Sequence, residues 1–408
     1  MSGLLDLDLA LDRILANLQP LEAVATRGLD DAIGRYLATD VEALVDVPPF
    51  DNSAMDGYAV RSADAALAGT EGLRVARQVF AGQPPGPALT AGECARIFTG
   101  APLPPEADCV IIQEEAEMLA DDRVRLHAPL RAGDYVRRAG GDIRRGAVLA
   151  ARGNPIHAAR VALLAAAGIS TPEVIRRPRV AVVTTGDELC PPGTALQPGQ
   201  IFDANGPMLV ALVRRSGAEV SAVTHAGDDP ATLGATLLHA ASGADAVVCS
   251  GGVSVGAADH VREVLARHGA VDFWRLALKP GKPFAFGNLA GRPFFGLPGN
   301  PVSSLVTFVL LVRPALLRLA GATDLDPTRL PAVLAVAAAK RRGRRDFQRG
   351  NYAVDAAGIL RVEPVGRQDS NILSSLTEGN CLIDLATESE NPPAGTRVRI
   401  IPLADLLG

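Results

Sequence analysis

The sequence predicts a multidomain protein of the α/β plus β class. The chain has 408 residues, and at roughly 150 residues per domain this length suggests two to four domains. Between residues 178 and 321, apolar runs alternate with helix-length segments. On either side of this region the chain contains short β-like runs. Repeated strand, loop and helix segments predict a parallel α/β sheet, and the short runs predict separate β domains.

Two helices are predicted in the first half of the chain. Leucine and isoleucine spacing at residues 8–18, stopped by Pro20, predicts an amphipathic helix. The segment PIHAARVALLAAAG, opened by Pro155 and closed by Gly168, predicts another. We expect these helices to meet in one discontinuous lobe formed by residues 1–42 and 147–177.

Three further domains are predicted from changes in composition and in the pattern of apolar residues along the sequence. Residues 43–146 are dense in Pro and Gly and contain the runs CARIFTG and CVIIQEEAEM, which predict a small mostly-β domain. Residues 178–326 contain the strand-and-helix alternation of the α/β domain. Residues 327–408 return to short runs such as RVRIIPL and predict a C-terminal β domain.

Composition excludes several classes of protein. Apolar residues form 48% and charged residues 21% of the chain, as in globular proteins. The net charge of −5 disfavours nucleic acid and anionic membranes as partners. Five cysteines without CxxC spacing favour neither a disulfide framework nor a zinc site. The acidic N-terminus is unlike a targeting peptide, and the apolar run LVTFVLLV is far shorter than the ~20 residues of a membrane span. We therefore expect a cytoplasmic protein.

Acidic residues follow the predicted strands of the α/β domain. They are Asp187 and Glu188, Asp228 and Asp229, and Asp259. The carboxyl ends of parallel strands meet at one edge, where ligands bind, so these carboxylates predict a Mg²⁺ site. The alternative is that each aspartate caps the helix that follows it. The SGGVSVG loop at residues 250–256 could bring backbone N–H groups against a phosphate, or could simply turn.

Two lysines flank a Pro-Gly turn in LALKPGKPFAFG. Lys279 and Lys282 could bind a phosphate or another oxyanion, helped by Ser303 or Ser304 near the start of the next helix. The alternative is a solvated surface, which the flanking phenylalanines disfavour because they indicate partial burial. The basic run KRRGRR at residues 340–345 is interpreted as a solvated face, since it lacks the interleaved aromatic residues of an RNA-binding patch.

Several long segments, in the same order, resemble the molybdopterin molybdenumtransferase family, MoeA, which is related to the E domain of gephyrin. The resemblance covers nearly the whole chain and rests on PPFDNSAMDGYAV, TGAPLP, VRRAGGDI, TTGDEL, GQIFDANGPML, SGGVSVG, LKPGKPFAFG and GLPGNPVSSLVTF. It implies an elongated four-domain subunit with a doubly wound α/β molybdopterin-binding domain and a C-terminal barrel-like β domain. It also implies a homodimer whose sites are shared between subunits.

The resemblance implies an enzyme of molybdenum cofactor biosynthesis. Such an enzyme takes adenylylated molybdopterin and molybdate as substrates, and Mg²⁺-dependent release of AMP accompanies insertion of the metal. A molybdopterin adenylyltransferase that uses ATP is the alternative activity, because that related family shares the α/β domain and its SGGVS loop. A non-catalytic dimeric scaffold, as in gephyrin, ranks last. The adenylyltransferase is also a possible partner.

The resemblance also implies site residues, position by position. The catalytic positions are Asp56, Asp142, Glu188, Asp228 and Lys279. The metal positions are Glu188, Asp228 and Asp259. The substrate-binding positions are Thr99, Arg137, Ser250, Gly251, Gly252, Lys282, Pro298, Pro301, Arg349 and Ser370. Two positions depart from the family pattern, Arg275 in its side-chain geometry and Asp369 where glycine is expected.

Overall fold

The structure, a computed structural model, describes residues 4–26, 28–252 and 265–404. Asp259 and the last part of the SGGVSVG loop, two features of the predicted site, lie outside these ranges.

The N-terminal helix packs on the α/β domain. Helix α1 (Leu7–Ala16) begins after Asp6, whose carboxylate accepts the backbone N–H of Asp8 at 2.9 Å. Its buried side chains, together with Leu18, belong to the hydrophobic core of the α/β domain. The elements that follow are β1 (Ala23–Ala25), α2 (Leu29–Ala32) and β2 (Val41–Glu42).

The small domain is mostly β, as predicted. Its elements are β3 (Asn52–Ser53), β4 (Gly57–Val60), α3 (Ala65–Gly69), β5 (Leu73–Val79), β6 (Glu93–Ile97), β7 (Cys109–Ile112), β8 (Ala116–Met118), β9 (Arg123–Leu126) and β10 (Val136–Arg137). Two 3₁₀ turns cover Ser62–Asp64 and Gln113–Glu115. Six strands form a sheet in the order β7-β4-β6-β5-β9-β8, and β10 pairs with β3.

The chain then returns to the lobe that the N-terminal segment began. The elements are β11 (Val148–Ala150), α4 (Ala158–Ala166) and β12 (Glu173–Ile175), with β11 paired to β2 and β12 to β1. The lobe predicted from residues 1–42 and 147–177 therefore lacks α1. The spacing of apolar residues along the sequence predicts a helix with one apolar face, but it does not show which hydrophobic core that face packs against.

The α/β domain contains one six-stranded sheet. Its elements are β13 (Arg179–Thr185), β14 (Leu189–Cys190), β15 (Ile201–Phe202), α5 (Asn205–Arg215), β16 (Glu219–Ala226), α6 (Pro230–Ser242), β17 (Ala246–Ser250), β18 (Gly269–Arg275), β19 (Leu278–Lys279), β20 (Pro283–Leu289), β21 (Arg292–Leu297) and α7 (Pro301–Leu319). The sheet order is β16-β13-β17-β21-β20-β18. Helices α5 and α7 share a core with one face, and α6 packs on the other, so the domain is doubly wound as expected.

The prediction of a parallel sheet fails at one strand, β20, which runs against the other five. Strands β16, β13, β17 and β21 are parallel, whereas β20 runs antiparallel to both β21 and β18. The connection from β20 to β21 is only Ala290 and Gly291, both with positive φ. A two-residue turn of this kind can only return the chain antiparallel, because a parallel crossover needs a dozen or more residues.

Helix α7 is the core helix of the α/β domain. Within the described residues it is the one helix long and apolar enough to match a membrane span, yet 89% of the matching window is buried inside the protein. Phe308–Val312, in its middle, form a π-helical turn. Its burial is that expected of a helix at the centre of a globular core.

The C-terminal domain is a closed barrel. Its elements are β22 (Leu330–Leu334), β23 (Arg345–Val354), β24 (Leu360–Pro364), α8 (Ser375–Glu378), β25 (Cys381–Leu385) and β26 (Arg397–Pro402). Strands follow the order β23-β24-β22-β26-β25, and β25 pairs back to β23, which closes the ring. Strand β19 of the α/β domain adds to β23 in parallel, with Leu278 opposite Arg345. The two domains therefore share a strand pairing.

A guanidinium group fastens α1 and the barrel together. Arg345 donates hydrogen bonds to both carboxylate oxygens of Asp384, at 2.8 and 2.6 Å, and to Asp8 at 3.0 Å. The Asp384 side chain is only 3% exposed, whereas that of Asp8 is 71% exposed. The two ion pairs are therefore expected to differ in strength, because water screens the exposed one.

We expect Asp384→Ala to destabilise the barrel by about 3–5 kcal/mol, because it leaves the buried guanidinium without its main partner. Asp8→Ala, the matched control at the same arginine, is expected to cost about 0–1 kcal/mol. Calorimetric melting of the two variants measures the difference. Equal losses would contradict the assignment of Asp384 as the main partner.

Candidate functional site

A cleft of about 1280 Å³ opens between the carboxyl edge of the α/β sheet and the rim of the barrel. Strands β13, β17 and β21 end together at this edge, with Thr184 opposite Ser250 and Ser250 opposite Leu297. Ligands bind at this edge in open α/β sheets. The barrel contributes the residues before β23 and the loop between β24 and α8.

The four strand-end carboxylates that the structure describes divide into two kinds. Asp187 accepts the backbone N–H of Asp228 at 3.0 Å, and Asp229 caps α6 by accepting the backbone N–H of Thr232 at 2.9 Å. Glu188 and Asp228 instead line the cleft. Among the described residues, neither of these two side chains has a hydrogen-bond or ion-pair partner. Asp229 therefore caps the helix that follows it and Asp187 holds the neighbouring loop, whereas the other two carboxylates remain available to a ligand.

The floor of the cleft depends on a close backbone approach. Gly251 has φ +95°, and a Cβ at this position would lie 2.6 Å from both the carbonyl oxygen and the hydroxyl of Thr185. Gly251 also donates its N–H to the carbonyl of Leu297 at 3.1 Å. Glycine is thus required here both for conformation and for space. Gly252 and the prolines Pro298 and Pro301 line the cleft beside it.

Ser250 is tied into the floor by an amide that sequence analysis missed. Asn205 donates from Nδ2 to Ser250 Oγ at 2.8 Å and to the carbonyl of Gly299 at 2.6 Å. The Ser250 hydroxyl in turn lies 3.3 Å from the carbonyl of Pro298, to which it donates. Asn205 therefore links the ends of β17 and β21. Its motif, GQIFDANGPML, was visible in the sequence, but the long-range partners of the amide were not.

The two lysines of the Pro-Gly turn both line the cleft but differ in their surroundings. Lys279 Nζ lies 3.1 Å from Asp346, a buried carboxylate of the barrel. Lys282 has no carboxylate partner among the described residues. Between them, Gly281 has φ +112°, and a Cβ there would meet Thr307 Cγ2 at 2.6 Å. The turn is thus packed tightly against α7.

The loop that contains Ser370 closes the other side of the cleft. Asn300 donates from Nδ2 to Ser370 Oγ at 3.0 Å, and Val302 donates its N–H to the Ser370 carbonyl at 3.3 Å. This loop therefore docks on the first turn of α7. Ser303 lines the cleft close by, whereas Ser304 is fully buried and is absent from the described lining.

Arg349, expected to bind substrate, lies beneath that loop. It is 1% exposed, and its guanidinium donates to Ser375 Oγ and to the carbonyls of Arg367 and Asp369, at 3.0, 3.0 and 3.1 Å. Burial lowers the pKa of Arg349. In this structure Arg349 shapes the loop and is not part of the described cleft lining.

Four of the expected site residues lie in the small domain. Asp56 Oδ1 accepts the backbone N–H and the hydroxyl of Thr99 at 2.8 and 2.7 Å, and these bonds hold the pKa of Asp56 below its usual value. Arg137 lies in β10, and Asp142 donates its N–H to the carbonyl of Val47. None of the four belongs to the described lining of the cleft in the same chain.

Family models match the chain in three consecutive parts. The model described as the MoeA N-terminal region, domains I and II, matches residues 5–168. A probable molybdopterin binding domain matches residues 181–318, and the MoeA C-terminal region, domain IV, matches residues 331–403.

Relatives match the whole chain. The molybdopterin molybdenumtransferase of Haemophilus influenzae is 39% identical over 99% of this chain and 100% of its own. This chain belongs to the MoeA family. Molybdopterin molybdenumtransferase 2 of Mycobacterium tuberculosis is 37% identical over 95% of this chain and 97% of its own. The crystal structure of the Pyrococcus horikoshii OT3 molybdopterin biosynthesis moeA protein matches with a TM-score of 0.83 and 29% identity, covering 98% of this chain and 100% of that one.

Asp369 and Arg275, the two positions expected to differ from the family pattern, have different surroundings. Asp369 forms an ion pair with Arg367 at 2.8 Å and lines the cleft next to Ser370. Arg275 ends β18, and its carbonyl accepts the N–H of Leu5 at 2.8 Å. The Asp369 departure therefore brings a carboxylate to the cleft, whereas Arg275 lies outside its described lining.

We expect Gly251→Ala to cost stability and to distort the cleft floor, because the new Cβ meets Thr185 in a strained backbone conformation worth about 1–3 kcal/mol. Gly193→Ala is the control, since Gly193 has a similar φ of +90° but nothing within 4 Å of its ideal Cβ. The melting temperature measures the loss of stability, and titration with a ligand of the cleft measures the distortion of its floor. Equal melting temperatures with unchanged ligand binding would contradict the role given to the close approach.

Proposed function

We propose that this chain inserts molybdenum from molybdate into adenylylated molybdopterin, with Mg²⁺-dependent release of AMP. One observation carries the proposal: Glu188 and Asp228 line the same cleft as Lys279 and Lys282. Carboxylates for a hard cation and ammonium groups for anionic oxygens are what transfer at a phosphoanhydride requires. Membership of the MoeA family supports the same chemistry.

The residues present fit a magnesium ion. Glu188 and Asp228 offer carboxylate oxygens, the ligands that Mg²⁺ prefers, and neither is engaged elsewhere among the described residues. Mg²⁺ commonly binds through one or two carboxylates and completes its shell with water and substrate phosphates, so this pair of carboxylates suits it. When bound, the ion would neutralise charge on the phosphate oxygens; Asp259 is proposed as a further ligand.

The protein groups act by positioning and charge. Lys282 is placed to bind an anionic oxygen of the substrate, and the docked Ser370 loop borders the other side of the cleft. Cys249, at the end of β17, is disfavoured as a nucleophile, because burial raises its pKa to about 12. We propose that Ser250, Gly251, Gly252, Pro298, Pro301 and Ser370 bind substrate and that Lys279 assists catalysis.

We further propose a cytoplasmic homodimer whose sites are shared between subunits. Asp56, Thr99, Arg137 and Asp142 lie outside the described cleft of their own chain, so a second copy would have to present them to it. We propose catalytic roles for Asp56 and Asp142, and substrate contacts for Thr99 and Arg137. The adenylyltransferase that makes the substrate is a candidate partner, and neither nucleic acid nor a membrane is expected.

The direct test is incubation of the protein with adenylylated molybdopterin, Mg²⁺ and molybdate. We expect AMP release that depends on both the divalent ion and molybdate. A parallel incubation with ATP and molybdopterin is expected to release no pyrophosphate. Pyrophosphate release without molybdate-dependent AMP release would replace the proposal with the adenylyltransferase alternative.

Asp228→Asn is expected to lower the rate of AMP release by about a hundredfold or more, because it removes one of the three carboxylate charges proposed to hold Mg²⁺. Asp229→Asn is the matched control from the adjacent position. Asparagine also caps helices well, so this variant is expected to keep its stability and its rate. A normal rate for Asp228→Asn at limiting Mg²⁺ would contradict the role of Asp228.

Mixed dimers test whether the site is shared. Asp56→Ala and Glu188→Ala are each expected to be folded and inactive as pure proteins. If each site takes Asp56 from one subunit and Glu188 from the other, a mixed dimer contains one intact site, so random mixing should restore about a quarter of the activity. Mixing Glu188→Ala with Asp228→Ala, which affect the same part of the site, is the control and should restore none. Absence of recovery in the first mixture, with exchange of subunits verified, would contradict the shared site.

A further inference from the structure

The basic run KRRGRR contains a buried cation at its start. Lys340 is 2% exposed, and its ammonium group donates to three backbone carbonyls, those of Arg341, Thr387 and Ser389, at 3.2, 3.3 and 2.9 Å. The sequence predicts a solvated face for the whole run, and Lys340 is an exception. Its charge is used to hold the loop after β25 and is not available to a ligand.

Two other cations of the run also have partners. Arg342 Nε lies 3.2 Å from the Glu390 carboxylate at the surface. Arg345 is held between Asp384 and Asp8 at the seam of the barrel. Arg341 is exposed and absent from the described cleft lining. Each of these residues therefore has a structural or surface role.

Arg344 differs from the rest of the run. It immediately precedes β23, is partly buried, and lines the cleft. Among the residues that the structure describes, its guanidinium has no ion-pair or hydrogen-bond partner. Asp346, two residues further along, faces Lys279, another residue of the cleft. Arg344 and the Lys279–Asp346 pair therefore lie at the same end of β23, beside the cleft.

The charges in the cleft leave two cations uncompensated. Of the three basic residues in the described lining, Lys279 is paired with Asp346, whereas Lys282 and Arg344 have no carboxylate partner. Lys282 comes from the α/β domain and Arg344 from the barrel. An anion bound in the cleft by both would compensate two positive charges and would bridge the two domains.

We propose that Arg344 binds a tetrahedral oxyanion of the substrates together with Lys282. The planar guanidinium fork matches two oxygens of a phosphate or a molybdate, and an ammonium group acts as a point charge beside it. This inference deepens the proposed function and rests on it. The phosphate of the pterin substrate and free molybdate are the two sources of such an oxyanion, and binding measurements distinguish them.

The test is calorimetric titration of the full chain with AMP, as a phosphate monoester probe, and separately with molybdate. Arg344→Gln is expected to weaken the binding of one probe by about tenfold to a hundredfold, as for loss of a charge-assisted hydrogen bond. The affected probe identifies the source of the oxyanion. Arg344→Lys, which keeps the charge but loses the fork, is expected to fall between Arg344→Gln and the wild type. In turnover assays of Arg344→Gln, the KM for the substrate that supplies this oxyanion is expected to rise by a larger factor than kcat falls.

Arg341→Gln is the matched control, because it removes one charge from the same run outside the described cleft. It is expected to bind both probes within about twofold of the wild-type affinity, because salt screens an exposed charge that lies outside the cleft. Wild-type affinity of Arg344→Gln and Arg344→Lys for both probes would overturn the proposal, as would equal losses in Arg341→Gln. Melting temperatures show whether a loss comes from unfolding. If Arg344 is needed for oxyanion binding but the wild type releases no AMP, the proposed function is contradicted, whereas the anion-binding role of Arg344 stands.

Discussion

The cleft depends on the pairing of β19 with β23, a two-residue contact between domains. Leu278 lies opposite Arg345 and Lys279 opposite Asp346, so the Pro-Gly turn is held against the barrel. The same strand of the barrel is fastened to α1 through Arg345. The pairing is reinforced by the apolar core that Phe347 and Leu382 of the barrel share with the α/β domain. Backbone hydrogen bonds, buried charge and apolar packing therefore together hold the barrel rim against the carboxyl edge of the sheet.

Ionisable groups in and around the cleft fall into two classes, according to whether they already have hydrogen-bond or ion-pair partners within the protein. Arg349 and Asp346 are buried, Arg345 is partly buried, and all three have protein partners, as buried charges must. Their contribution is to fix the loops and strands that carry other groups. Glu188, Asp228, Lys282 and Arg344 line the cleft and have no such partners among the described residues. Binding free energy is available only at groups of this second class, because the first have already exchanged water for protein contacts.

Sequence patterns predicted local elements better than their long-range partners. The helix at residues 155–168, the strand before TTGDEL and the small β domain followed from spacing and turn residues, which are local properties. The same patterns could not show that α1 packs on the α/β core, or that β18 and β20 run antiparallel, because those outcomes depend on distant surfaces. Asp187 and Asp228 both follow a glycine at the end of a strand. Asp187 nevertheless accepts a backbone N–H from the neighbouring loop, whereas Asp228 lines the cleft. Arg349 lies in a conspicuous basic motif, but its burial depends on the later loop that folds over it.

The proposed shared site would change the environment of Asp56, a carboxylate of the small domain. Its carboxylate is exposed, and the N–H and hydroxyl of Thr99 lower its pKa, so the group stays ionised until the pH falls below its usual value of 3.8. Any stability that this pair contributes is present above that value and is lost as the pH falls through the lowered pKa. An ionised carboxylate in open water is screened and has little influence on a reacting group. The same carboxylate closed into a cleft acts at a lower dielectric, where its charge orients a cation or a proton donor far more strongly. The geometry of Asp56 therefore favours an electrostatic role at an interface over that of a proton donor.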